Sequence, residues 1–178
     1  LGEGVFLTNE LACDVLFDAD FSIEAEIQFG SEATLGGICF GRKDAENTHA
    51  AVIHPGQKSS PTKGFLDVST KHGSEWTYHD HTQVNLKTPW NLLRVDVVGD
   101  TVDIHFNGHY LLSRKMPSRD SLQGAFGLIG GVGKVQYQNI RILARDPHDP
   151  AARIEREIAM EQRAENPELR APLSLIHI

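Results

Sequence analysis

The sequence predicts an all-β chain folded as a jelly-roll sandwich of two antiparallel sheets. Three observations point there. Residues 21–29 alternate strictly, with Phe21, Ile23, Ala25, Ile27 and Phe29 on one side and Ser22, Glu24, Glu26 and Gln28 on the other. That is the period of a half-buried strand. Further short apolar runs follow, divided by turn signals at spacings of roughly 8–12 residues, as in sandwiches and barrels. No amphipathic helix separates these runs, which excludes a helical bundle and a doubly wound parallel sheet.

Taken in order, Gly36-Gly37 is expected to break the chain, and Ile38-Cys39-Phe40 to begin the next strand. Residues 50–54 form a short apolar strand ended by Pro55-Gly56. Residues 57–63 are polar and read as a loop, and residues 64–70 fit a strand. The stretch Trp76-Thr77-Tyr78-His79-Asp80-His81 reads as a polar, histidine-rich loop. The pattern is clearest after Pro89. Residues 90–98, 101–106 and 109–113 are joined by the two-residue turns Gly99-Asp100 and Asn107-Gly108, which makes an antiparallel meander. Trp90 is expected to supply a large buried surface where the first of these strands starts. Residues 125–129 are a further strand, Gly130-Gly131-Val132-Gly133 a turn, and residues 134–143 the last long strand. The inward face of that strand switches near Asn139, which predicts a bulge.

After Arg145 the character changes. Asp149 and Pro150 suit the cap and first position of a helix over residues 151–164, whose apolar side chains are few beyond Ile154 and Ile158. The expected organisation is therefore a sandwich over residues 1–145 and a helical linker, or the start of a following domain, over residues 146–172. Residues 173–178, Leu-Ser-Leu-Ile-His-Ile, resemble a translated sequencing adapter and are expected to be non-native. The sequence opens at Leu1 with no charged-then-apolar leader in view, and its lack is taken as uninformative.

Composition narrows the function classes. The 178 residues carry a net charge of -7, against the Lys and Arg surplus that a general nucleic-acid binder needs. No run of about 20 apolar residues is present to form a membrane span. Two cysteines, Cys13 and Cys39, exclude a disulfide scaffold and a four-cysteine zinc site. Both sit in apolar runs, where a buried thiol is the default and a disulfide is open to an oxidising compartment.

The order of pieces resembles the concanavalin A-like lectin/glucanase superfamily. Those pieces are Phe21 to Ile27, Gly37-Ile38-Cys39-Phe40-Gly41-Arg42, Lys43-Asp44-Ala45-Glu46-Asn47, Gly64-Phe65-Leu66, Trp90-Asn91-Leu92-Leu93-Arg94-Val95, Phe106-Asn107-Gly108, Gly124-Ala125-Phe126-Gly127-Leu128 and the run from Val135 to Ile142. Within it the chain looks like laminin G-like modules and 3-keto-disaccharide hydrolase-type domains of bacterial envelope proteins. The resemblance implies a carbohydrate-binding, lectin-like module of a larger exported bacterial polypeptide, extracellular or periplasmic, with neighbouring domains as partners. Two alternatives follow from the same resemblance: glycoside cleavage of the 3-keto-disaccharide hydrolase type, and an architectural or protein-interaction module. No catalytic residue carries over.

Three constellations could carry chemistry. Glu24 and Glu26 share a strand face, but Gln28 stands where a glucanase strand has its further acid, so a solvated face is the simpler expectation. In an extended chain His79 and His81 would project to one side as two metal ligands, with His49, His54 or His72 as a third. Trp76, Tyr78 and Asp80 would project to the other as a sugar platform, so the candidate ligand-binding set is Trp76, Tyr78, His79, Asp80 and His81. The resemblance to laminin G-like modules adds calcium, with Asp44, Glu46 and Asn47 as oxygen ligands. Turn chemistry accounts for the same three residues without an ion. No Gly-x-Ser-x-Gly elbow or Gly-x-x-x-x-Gly-Lys loop occurs.

Overall fold

The computed structural model describes residues 5–7, 11–17, 20–56 and 62–144. The helix over residues 151–164, the linker over 146–172, the tail over 173–178 and most of the loop at 57–63 lie outside the described residues.

Two six-stranded sheets face each other. The first runs in the order β1 (Val5–Leu7), β12 (Val135–Ala144), β3 (Phe21–Phe29), β8 (Asn91–Val98), β9 (Thr101–Phe106) and β10 (His109–Lys115). The second runs β2 (Leu11–Phe17), β11 (Gly124–Gly130), β4 (Gly36–Arg42), β5 (Asn47–Pro55), β6 (Lys63–His72) and β7 (Glu75–Asn85). Every pairing is antiparallel. The consecutive runs β8-β9-β10 and β4-β5-β6-β7 are meanders, and β11 and β12 return to sit in opposite sheets.

Period-two alternation builds the interior. Phe21, Ile23, Ala25 and Ile27 of β3 are buried and join Leu93 and Val95 of β8 from the first sheet. Ile38 and Phe40 of β4, Ala51 and Ile53 of β5, and Leu66 and Val68 of β6 meet them from the second. Each such Leu or Ile contributes roughly 1.5–3 kcal/mol by leaving water. The turn at Asn107 (φ 52°) and Gly108 (φ 84°) has the left-handed conformation that the hairpin requires. The expected bulge in β12 lies between Gln138 and Arg141, with Asn139 at φ 51°. Beyond it Ile142, rather than an odd-numbered residue, packs on the core.

Four expectations need correction. Gly36 and Gly37 do not break the chain but open β4. They serve close packing: a Cβ on Gly37 would stand 2.1 Å from the Ala51 carbonyl oxygen. In that narrow gap the buried Tyr137 hydroxyl of the first sheet accepts the Gly37 N–H at 2.8 Å and donates to the Ile129 carbonyl, tying the sheets together. Burial holds the Tyr137 hydroxyl well above its ordinary pKa. Second, Trp76 to His81 is not a loop but the first half of β7, hydrogen-bonded to β6. Third, Trp90 precedes β8 and is only half-buried. Fourth, a strand fills the stretch from Asn47, three residues before the apolar run at residue 50; ladder bonds to β6 hold its polar start.

Candidate functional site

The outer face of β5, β6 and β7 gathers the aromatic and titratable side chains. Cross-strand partners in an antiparallel ladder share a face. Lys71 pairs with Trp76, Ser69 with Tyr78, and Asp67 with His81. The register shifts between Val68 and Ser69: Asp80 pairs with Val68, and His79 is the extra residue of a bulge. Simple alternation would set His81 opposite to Trp76 and Tyr78 in facing. The bulge reverses the phase, so Trp76, Tyr78 and His81 share the outer face. His79 instead turns to Thr70 (Nε2 to Oγ1, 2.7 Å), and Asp80 meets Arg114 of β10 at 3.2 Å. The expected grouping of His79 with His81, and of Asp80 with Trp76 and Tyr78, is therefore corrected by this one inserted residue.

The outer face has a polar centre that the sequence reading did not single out. Asp67 is 5% exposed and lies between two imidazoles. His81 Nδ1–H donates to its Oδ1, and His54 Nε2 stands 3.0 Å from its Oδ2 without a well-aligned hydrogen bond. Burial opposes ionisation of Asp67, but His54 and His81 outweigh it, and its carboxyl titrates below the ordinary carboxylate range. Asp67 is therefore an anion at neutral pH. Phe65, two residues away on the same face of β6, stacks on His81 with ring centroids 4.4 Å apart. Tyr78 is 64% exposed and Phe65 37% exposed. Trp76 is half-buried and packs on a small outer cluster of Cys39, Ala50 and Val52, so it lies across the sheet rather than standing in solvent.

The outer face of the first sheet differs. Its acids are engaged by strong partners. Buried Asp96 accepts from Ser22 and from Arg94 Nε (2.9 Å), with His105 Nε2 at 3.3 Å. Burial opposes its ionisation; His105, Ser22 and Arg94 prevail and depress its pKa. Glu24 faces Arg141 at 3.4 Å. Glu26 accepts from Gln138 Nε2 (2.7 Å) and Asn139 Nδ2 (2.9 Å). The pair Glu24 and Glu26 thus belongs to a strand face cross-linked by polar partners.

Asp44 closes a turn. Its carboxylate accepts from the Glu46 N–H at 2.8 Å and from the Asn47 amide at 2.9 Å. The Asn47 amide, with the Glu46 N–H, holds its carboxyl below the ordinary range. Both oxygens accept from N–H donors, and these bonds close the turn. Among the described residues no group of three or more His, Cys, Asp or Glu side chains is arranged to hold a metal ion. Cys39 is buried. Strand β11 lies between β2, which carries Cys13, and β4, which carries Cys39. No helix among the described residues is long and apolar enough to cross a membrane.

No protein-family model and no curated protein sequence matches the chain. Solved structures do. The carbohydrate-binding module CBM66 from Bacillus subtilis superposes with a TM-score of 0.65 at 14% identity, covering 80% of this chain and 92% of that one. A Parabacteroides distasonis protein, provisionally named a glycosyl hydrolase, gives 0.56 at 16% identity, over 80% and 81% of the two chains. Toad ovary galectin in complex with thio-digalactose gives 0.56 at 12% identity, over 77% and 100%. With the strand order and these superpositions together, the chain has the concanavalin A-like jelly-roll fold.

Proposed function

We propose that the outer face of β5, β6 and β7 binds carbohydrate. A sugar ring presents apolar C–H faces and a rim of hydroxyls, so its receptor needs exposed aromatic rings beside fixed polar groups. This face offers both. Phe65 and Tyr78 are exposed rings, and Asp67 is an ionised acceptor whose position is fixed by His54 and His81. The observation that carries the reading is this buried, ionised carboxylate bordered by exposed rings. The fold shared with CBM66 and with a galectin holding thio-digalactose supports it.

Binding without cleavage is the form we favour. Glycoside hydrolysis ordinarily uses two carboxylates flanking the scissile bond, ~5–9.5 Å apart. Asp67 is the acid that β5, β6 and β7 present on this face. The other acids of these strands, Glu75 and Asp80, pair with His72 and Val68 and so face the opposite way. A place in a larger exported bacterial polypeptide is part of the same proposal and rests on the sequence resemblance.

The test is a glycan array on the full chain, run with and without EDTA, beside Asp67→Ala and Tyr78→Ala variants whose melting curves show them folded. Glycans retained by the parent chain and lost from Asp67→Ala are expected. Binding unchanged in both variants contradicts the proposal, and turnover of a 3-keto-glucoside would replace it with the hydrolase alternative.

A further inference from the structure

A cavity of about 330 Å³ opens at the end of the second sheet, where the β4–β5 and β6–β7 turns meet the segment around Ser121. Its size is at the low end of the ~300–1,000 Å³ of small-molecule sites. The rim carries Lys43, Lys71 and His72; the base carries His49, Thr70 and His79. Every ionisable side chain lining it is basic, in a chain whose net charge is -7. Lys71 donates to the Ala45 carbonyl at 2.6 Å, which holds its ammonium at the rim. Lys43 has no ion-pair partner among the described residues.

The base is an oriented chain of hydrogen bonds. The Ser121 carbonyl can only accept, so His49 Nε2 carries a proton and donates to it at 2.9 Å. Burial pushes the His49 imidazole down to about 4, so it is neutral at pH 7 and its Nδ1 accepts from Thr70 Oγ1 at 2.8 Å. Thr70 has then used its one proton and accepts from His79 Nε2–H at 2.7 Å. That fixes the His79 tautomer, and Nδ1 of this cavity-lining ring is left as an acceptor.

We propose that this cavity is a subsite for a sugar acid: its carboxylate would lie between Lys43 and Lys71, and a hydroxyl would donate to His79 Nδ1. Two cations without a lining carboxylate select an anion, and a base offering a lone pair selects a ligand that also has a hydroxyl to donate. Lys71 pairs with Trp76 and so connects the cavity to the aromatic face. The inference deepens the carbohydrate-binding reading and rests on it: the cavity would take the acidic residue of a glycan whose neutral part lies on Phe65 and Tyr78.

The experiment is a nuclear magnetic resonance titration of the full chain with sodium glucuronate, methyl glucoside and sodium acetate, reading the ring signals of His79 and Tyr78. Glucuronate is expected to shift His79 saturably. Lys43→Gln, at an exposed position, should weaken that response about fivefold, the size of one charged hydrogen bond partly screened by water. Thr70→Val, which removes the hydroxyl that orients His79, should weaken it as well. An unmoved His79, equal affinity for methyl glucoside, or equal affinity for acetate overturns the sugar-acid subsite. Tyr78 distinguishes the two failures: array-selected neutral glycans that still shift Tyr78 leave the aromatic face standing, and their failure to do so removes that reading instead.

Discussion

The outer faces of the two sheets are built by the same alternation and each carries a buried carboxylate, yet they are suited to different work. Asp96 on the first sheet is held by a guanidinium, a hydroxyl and an imidazole, and the neighbouring acids Glu24 and Glu26 are cross-linked by Arg141, Gln138 and Asn139. Such a network is satisfied from within, and a ligand would have to break bonds to enter it. Asp67 on the second sheet is held by two imidazoles and is bordered by exposed rings. A hydroxyl can add to that arrangement without displacing an arginine. The comparison teaches that an acid on a strand indicates a site only when its partners leave room for another donor.

Substitutions can break this contrast. The largest expected effect is on stability at the first sheet. Asp96→Ala removes the anion that Arg94 and His105 face, and should cost about 3 kcal/mol in a denaturant titration while leaving glycan affinity unchanged. Its counterpart Asp67→Ala should reverse the pattern. Glycan affinity, measured by calorimetry, should fall about 30-fold, roughly 2 kcal/mol, with a smaller loss of stability because the imidazoles remain in contact with water.

The pH dependence sharpens the contrast from a third position. His49 has a folded pKa lowered from 6.5 to about 4, so between those values the unfolded chain binds more protons than the folded one. Stability is complete above pH 6.5 and is lost as pH falls towards 4, at a slope of at most about 1.4 kcal/mol per pH unit. His49→Gln should flatten that slope. Asp67 and Asp96 also have depressed folded pKa values, so their contributions are present above the ordinary carboxylate pKa and are lost as pH falls through the lower folded ones. Acid unfolding should therefore show the His49 phase first. The smallest effect is at Tyr78: Tyr78→Ala should weaken glycan binding about fivefold, near 1 kcal/mol, with no change in melting temperature.

Much of the fold could be read from the sequence because alternation and turn chemistry are local. Phe21 to Phe29, Asn107-Gly108 and the switch at Asn139 each announce themselves within a few residues. Gly36-Gly37 misled because a close inter-sheet approach and a chain break call for the same residue. The site was half legible. Trp76, Tyr78 and His81 stood out by composition, but their common facing depends on the bulge at His79, which only the pairing with β6 reveals. Asp67 and Phe65 sat unnoticed in a run that reads as a plain strand. An acid between apolar alternates, on a strand next to one rich in histidine, was the available signal. His49 and Thr70 meet His79 through register across three strands, and no spacing in the chain encodes that.

The most direct measurement is a map of methyl, ring and amide shifts on adding a glycan selected by the array. Signals of Phe65, Tyr78 and His81 should move together and saturate, while those of Arg94, His105 and Glu24 stay in place. Movement confined to the Arg94 and His105 side, or an even shift over both faces, would contradict the account.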